Sequence, residues 1–421
     1  MLERVPCSRA DIFADKRLSL VEKRLLMKVF TSAMNFETVL AEEDISSEMS
    51  IKEYLTTKCR LPERLTYYVI HSIAMVSETT SVVDGLSLTR NFLKSCNIYG
   101  PTPFLWSMYG SAEFPQAFCR LAAVYGAVYV LRSCPVATIT NKNGNCLAVG
   151  VNSDKRVACK NLVIGSSYCP PLMILNFFDK EPPVYYEVVL RAVLCSDKTL
   201  IPELSGEKPA PLNYIRLPSK SMSASIIELP SHTMTCPGNS YLHQISATIP
   251  RKFTSRPSLS DIECEVAEFQ RILDSYFSFD SSICSEKPNV FWRCIFAVPR
   301  LAYCRPHDKV DASDFNVSEN IYILPGNLGN GSGLDYDMSI QIAKTVFAKI
   351  NPDAEEFIPR MPKPTVAEDY TEDIEMPKQE SEGISEQPEQ PGETDNTNSD
   401  KNSVDGEDKC AKTDIDIPSN D

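Results

Sequence analysis

The sequence predicts an α+β protein: a helical domain over residues 1–100, a mixed-sheet domain over 101–360 and a disordered acidic tail over 361–421. Three observations carry this. The first hundred residues place apolar side chains at helical spacing behind serine capping signals. From Ala137 the apolar period shortens to two, with turn residues between the runs. Past residue 362 the charge balance changes. Residues 363–421 hold 18 Asp or Glu against 5 Lys, a balance of −13 out of the chain's −14, which leaves −1 for residues 1–362. No aromatic follows Tyr370, so this stretch has too little apolar surface to offset the entropy of ordering it. The near-neutral remainder offers no electrostatic footprint for nucleic acid.

Ser19-Leu20-Val21-Glu22 is a capping box that opens a helix running to about Phe36, with Leu25, Leu26, Val29, Phe30 and Ala33 as its apolar stripe. Ser50-Ile51-Lys52-Glu53 repeats the device for a shorter helix ending near Cys59. Helices over Glu63–Val76 and Val82–Cys96 follow, before Gly100-Pro101 breaks the chain. Ala137–Thr140 and Cys146–Val151 read as strands around Asn141–Asn145, whose Asn143-Gly144 is a hairpin signal. Further strands are predicted within Val157–Gly165 and at Val184–Cys195, Ala224–Leu229, Tyr241–Ile249, Phe291–Val298 and Ile321–Leu324, with helices at Ser260–Phe277 and Asp337–Ile350. There is no internal repeat.

Between the two textures lies Tyr109–Leu131, YGSAEFPQAFCRLAAVYGAVYVL. It reads as an aromatic turn, a short acidic loop, a helix from Pro115, a stop at Gly126 and a strand at Val128–Leu131. Gln116 and Arg120, four residues apart, share one helix face. Glu113 stands at the entrance, where the dipole favours a carboxylate. Phe118, Leu121 and Ala122 are expected to turn into a core, with Cys119 as a small core side chain. This segment resembles the platform of the Rab escort protein and Rab GDP-dissociation-inhibitor superfamily, close to YGxGELPQxFxRLxAxxGGxYxL. Tyr109, Gly110, Glu113, Pro115, Gln116, Phe118, Arg120, Leu121, Ala123, Gly126, Tyr129 and Leu131 match in order without a gap. Ala112, Phe114, Ala127 and Val128 depart from the pattern.

The likeness continues over roughly residues 4–360. VPCSRADIF and VEKRLLMK, HSIAM with SETT, NIYGPTPFL, MTC-x-G-x-x-YL at Met234–Leu242 and NIYILPGN at Asn320–Asn327 all resemble the escort branch. The resemblance implies the C-terminal part of a domain with the FAD-oxidoreductase-like fold of these proteins, without flavin or other cofactor. It also implies a chain that starts at the helical domain, an N-terminally shortened form. The implied function is non-catalytic: component A of a Rab geranylgeranyltransferase complex. Such a chain binds GDP-bound Rab GTPases, presents them to the transferase α/β heterodimer and shields the geranylgeranyl product on its way to a membrane. Tyr109, Glu113, Gln116, Arg120, Val128 and Val130 would contact the GTPase. Phe30 and Phe36 would anchor the transferase as exposed aromatics. Leu25, Val29, Ile70, Ile73, Ala74 and Leu86 would line the prenyl site, where each buried CH₂ contributes about 0.8 kcal/mol. Ile98 stands where the family usually has an Arg against the GTPase, a loss of charge-assisted bonds of about 1.5–3 kcal/mol.

Other chemistry finds less support. Pro325–Gly333 sits between a strand and a helix, but its glycine spacing is wrong for a dinucleotide loop, so a structural loop is expected. His71, His232, His243 and His307 have no nucleophile motif around them. The chain's 15 Cys are spread singly, with no CxxC and no His at metal spacing; together with the absent leader pattern they predict reduced thiols in the cytosol. No apolar run nears the ~18 residues that span a bilayer, and neither end carries a lipidation motif, so membrane contact is expected only through the cargo. The competing functions are a GDP-dissociation inhibitor that recycles prenylated Rab, an FAD-dependent oxidoreductase relative, and a fragment that binds nothing.

Overall fold

The capping serines organise the first hundred residues of the computed structural model. It describes residues 2–42, 45–46, 49–100, 102–133, 135–152, 155–168, 184–201, 212–219, 221–280, 286–303, 316–324, 336–354 and 356–358. Ser19 opens α2 (Leu20–Met34): its hydroxyl accepts from Glu22 N at 3.3 Å, while Glu22 Oε2 accepts from Ser19 N at 2.8 Å. Ser8 does the same with Asp11 for α1 (Arg9–Ala14), a helix the sequence reading missed along with α3 (Phe36–Glu42). Ser50 caps α4 (Ile51–Glu53), and Ser81 caps α6 (Val82–Ser95).

α4 and α5 (Glu63–Tyr67) each widen into a looser turn, over Tyr54–Lys58 and Tyr68–Ile73. The closing bonds there, Cys59 N to Tyr54 O at 3.1 Å and Ala74 N to Val69 O at 2.8 Å, span five residues instead of four. Leu26, Val29, Phe30 and Ala33 of α2 meet Leu55, Leu65, Ile70, Ile73, Val82 and Leu86 in one buried cluster.

The strands form three sheets. β1 (Pro135–Thr140), β2 (Cys146–Val151) and β3 (Lys155–Ala158) make an antiparallel meander. β4 (Leu162–Gly165) lies parallel to β11 (Ile321–Leu324), which pairs antiparallel with β10 (Asn316–Ser318). The main sheet runs in the order β6 (Asn213–Leu217), β7 (Ala224–Pro230), β8 (Tyr241–Thr248), β5 (Val184–Ser196), β9 (Val290–Tyr303). Helix α8 (Glu263–Tyr276) presses Phe269 and Leu273 onto Leu190, Ala192, Leu194, Ile226 and Ile245 of its inner face. A final helix, α9 (Asp337–Ile350), packs Ile342 and Val346 on Tyr322.

β3, β6 and β10 were not foreseen, being short and only partly apolar. The helical part touches the main sheet near β6: Arg216 Nε donates to His71 O at 3.1 Å, and the Phe104 ring lies between those of Phe92 and Tyr214. The described residues as far as Ile358 belong to one compact unit. The glycine-rich Pro325–Gly333, His307 and the acidic tail lie outside the described residues.

Candidate functional site

Ser107–Gly110 forms the entrance to the platform. Tyr109 adopts φ +67° and Gly110 φ +101°, both left-handed. Ser107 Oγ donates to Gly110 O at 2.6 Å, and Tyr109 N donates across to Thr233 O at 3.0 Å. Helix α7 (Glu113–Val124) then begins two residues earlier than the sequence suggested. It ends in a Schellman motif, with Ala127 N bonding Ala122 O and Gly126 N bonding Ala123 O, each at 3.0 Å, and Gly126 at φ +92°. The sequence-predicted stop at Gly126 is therefore where the chain turns.

Tyr109, Glu113, Gln116, Arg120, Val128 and Val130 are all exposed, and Glu113, Gln116 and Arg120 follow one another along α7. Among the described residues, none of those three side chains makes a hydrogen bond or ion pair. Their polarity is held out to solvent, so no desolvation cost explains them. Three expectations need correction. Phe118 and Leu121 are exposed, because α7 buries none of its residues. Cys119 is exposed too. Val128–Leu131 forms no strand, having no partner strand among the described residues, and its side chains are open to water. Tyr129 folds back onto the helix, where a hydrogen bond with Cys119 holds its phenol above the ordinary tyrosine value.

On the helical part, the proposed transferase anchors are misplaced. Phe30 lies on the α2 stripe in the core, and Phe36 is buried with the Arg90 guanidinium 4.5 Å over its ring. Neither is the exposed aromatic that an anchor requires. The surface that does expose apolar groups lies at the other end of α2: Phe13 is 66% exposed and Leu20 78%, with Val21 beside them. Lys23 Nζ donates to Phe13 O at 2.7 Å, which ties α1 to the first turn of α2. Lys16 and Arg24 are exposed around this patch. The signal for it was in the sequence: Leu20 and Val21 are apolar residues that fall off the stripe of their own helix. The prenyl candidates do come together. Val29, Ile70, Ile73 and Leu86 share the helical core, Ala74 is buried, and Leu25 packs half-buried against the cluster. The widened turn at Tyr68–Ile73 holds two of them.

Among the described residues no three His, Cys, Asp or Glu side chains are grouped as metal ligands, and no helix is long and apolar enough to cross a membrane. His243 is buried in the sheet, with Ser196 Oγ 2.7 Å from its Nε2, and no surface reaches the pair.

Residues 1–175 match the family described as GDP dissociation inhibitor. Over 367 residues the chain is 34% identical to a human protein named Rab proteins geranylgeranyltransferase component A 1; the match covers 86% of this chain and 52% of that protein. A Drosophila melanogaster protein named Rab proteins geranylgeranyltransferase component A is 31% identical over 366 residues, 86% of this chain and 63% of its own length. Rab escort protein 1 of Arabidopsis thaliana is 26% identical over 332 residues, 70% of this chain and 58% of the relative. The chain thus spans between half and two thirds of each of these relatives. Among solved structures, a Rab GDI from Plasmodium falciparum superposes with a TM-score of 0.56 at 12% identity, covering 84% of this chain and 72% of that one, a likeness of fold. The N-terminal part of this chain is thus similar to the GDP dissociation inhibitor family, and most of its length is similar to part of the component A proteins.

Proposed function

We propose that this protein is a Rab escort factor, a non-catalytic component A that binds the GDP form of Rab GTPases in the cytosol and delivers them to a geranylgeranyltransferase heterodimer. The observation that supports this most directly is the polar trio on α7. A carboxylate, an amide and a guanidinium stand exposed on one helix with no partner of their own among the described residues, next to an exposed Tyr109. Groups so arranged gain little for folding and are free to bond another protein's loops. Val128 and Val130 supply apolar contact beside them. The helical domain takes the transferase at the Phe13, Leu20 and Val21 surface, with Arg24 as its cationic partner. The geranylgeranyl chain enters the core around Ile70, Ile73 and Leu86, where the wide turn leaves one helix less tightly wound. The domain boundaries at residues 100 and 360 are those read from the sequence.

Reconstituted prenylation of a GDP-loaded Rab, with and without this chain, tests the reading. Geranylgeranyl transfer should depend on the chain. Arg120→Ala should cut Rab affinity at least tenfold, whereas Phe13→Ala should leave Rab affinity intact and weaken capture of the heterodimer. Transfer at the same rate without the chain would overturn the proposal, and so would parental Rab affinity in Arg120→Ala.

A further inference from the structure

The platform turn does not stand alone. Thr233, whose carbonyl accepts from Tyr109 N at 3.0 Å, ends a short 3₁₀ turn over Ser231–Thr233. Its hydroxyl donates to Pro230 O at 2.7 Å and lies 2.8 Å from Thr235 Oγ1. The methyl of Thr235 sits 3.8 Å from the place a Cβ on Gly110 would occupy. Met234, between these two threonines, is itself left-handed at φ +59°. Two left-handed residues, Tyr109 and Met234, thus belong to turns that touch each other. Both side chains point outward, at 67% and 54% exposure. The Met234 Cα lies within about 6 Å of Tyr109 N by standard backbone dimensions.

A left-handed backbone is disfavoured for Tyr and for Met, so neither turn is a default conformation. What holds Tyr109 there is the bond to Thr233 O, and what holds Thr233 is its own hydroxyl network. That arrangement keeps a large aromatic and a flexible thioether exposed side by side, where core packing would have buried either one.

We propose that Met234 is a second-segment contact of the GTPase platform, meeting an apolar spot on the bound GTPase beside Tyr109, and that Thr233 is the positioning residue that presents Tyr109. The proposal rests on the reading of α7 as the GTPase-binding surface and extends that surface to the turn between β7 and β8. A thioether adapts its shape to different partners, which suits a protein serving several GTPases with unlike side chains at that spot. The Met234-Thr235-Cys236 run that resembles escort sequences then has a physical task.

Titration of the full chain against a Rab loaded with fluorescent GDP, paired with thermal melts, tests both parts. Met234→Asp should raise Kd at least fivefold with an unchanged melting temperature, and Met234→Leu should retain parental Kd. Thr233→Val should raise Kd, and Thr233→Ser, which keeps the hydroxyl, should restore it. Arg120→Ala is measured alongside as the control for the platform itself. Weakened binding by Arg120→Ala with parental binding by Met234→Asp overturns the inference and leaves the platform standing. Parental binding by both variants overturns the platform reading and this one with it. If Thr233→Ser fails to restore what Thr233→Val loses, Thr233 has no positioning role.

Discussion

His243 is completely buried in the main sheet, and burial pushes its imidazole down to about 3. Its Nδ1 stands 3.6 Å from Glu228 Oε2, too far for a hydrogen bond. That carboxylate is already engaged by Thr199 Oγ1 at 2.6 Å, Leu200 N at 2.6 Å and Asn213 Nδ2 at 2.9 Å. In the unfolded chain the same imidazole titrates near 6.5. Between those two values the unfolded state takes up a proton that the folded state refuses. The contribution to stability is therefore full above pH 6.5 and is lost as pH falls, by up to about 1.4 kcal/mol per pH unit. Chemical denaturation at several pH values between 6.5 and 4.5 should show this decline, and His243→Gln, which cannot titrate, should show a shallower one. Parallel slopes would mean that another group sets the acid limit. The contrast with α7 shows what was legible at this scale. Glu113, Gln116 and Arg120 could be singled out as candidates because an ordered string of matching residues surrounds them. The burial of Phe30 and Phe36 and the exposure of Phe13 were not, because a single aromatic carries the same sequence signal inside or outside a core.

Elements were legible where a local rule fixes them. The Ser19 capping box and the Ser50 cap hold, since the hydroxyl and the third residue's amide meet by helix geometry alone. β6 and β10 are short edge strands without a full apolar alternation, each paired only with its sequence neighbour, and the widened turns after α4 and α5 leave no mark in the apolar period. Helix crossings are equally hidden until seen. Gly85, inside α6, looks like a weakness by propensity, where Ala gains about 1 kcal/mol. In the fold it lets α6 lie against α4: a Cβ there would stand 2.7 Å from Ile51 Cγ1 and 2.9 Å from Ile51 Cβ. Ile51 is fully buried, so it has little room to retreat. Gly85→Ala should then cost about 1–3 kcal/mol in urea unfolding, the range for overpacking. Adding Ile51→Ala should make the two changes non-additive, with Gly85→Ala harmless or favourable in that background. A stabilised single Gly85→Ala would show that the two helices can shift apart freely.

At the scale of the whole molecule, the α+β class followed from the sequence, but the uncovered surfaces did not. β9 is the edge strand of the main sheet, and no strand pairs its outer side among the described residues. Phe291, Trp292, Ile295, Phe296 and Val298 along it are all exposed, with Arg293 the one charge in that run. Taking about 200 Å² for each large side chain, these residues leave roughly 400–500 Å² of apolar surface open, above the few hundred Å² that a solitary soluble protein usually shows. Unpaired backbone groups on the same edge add a template for strand pairing, with no proline or lysine inside Phe291–Val298 to discourage it. The exposed apolar residues of α7 and Val128–Leu131 enlarge the problem. The purified chain should therefore self-associate at micromolar concentration, visible as a rise in weight-average mass by light scattering. Trp292→Lys should lower that association, because it puts a charge on the edge opposite the uncharged Cys195. It should leave the melting temperature almost unchanged, since the indole is already half in water. A monomer at all concentrations, or association untouched by Trp292→Lys, would show that this edge is covered by the chain itself.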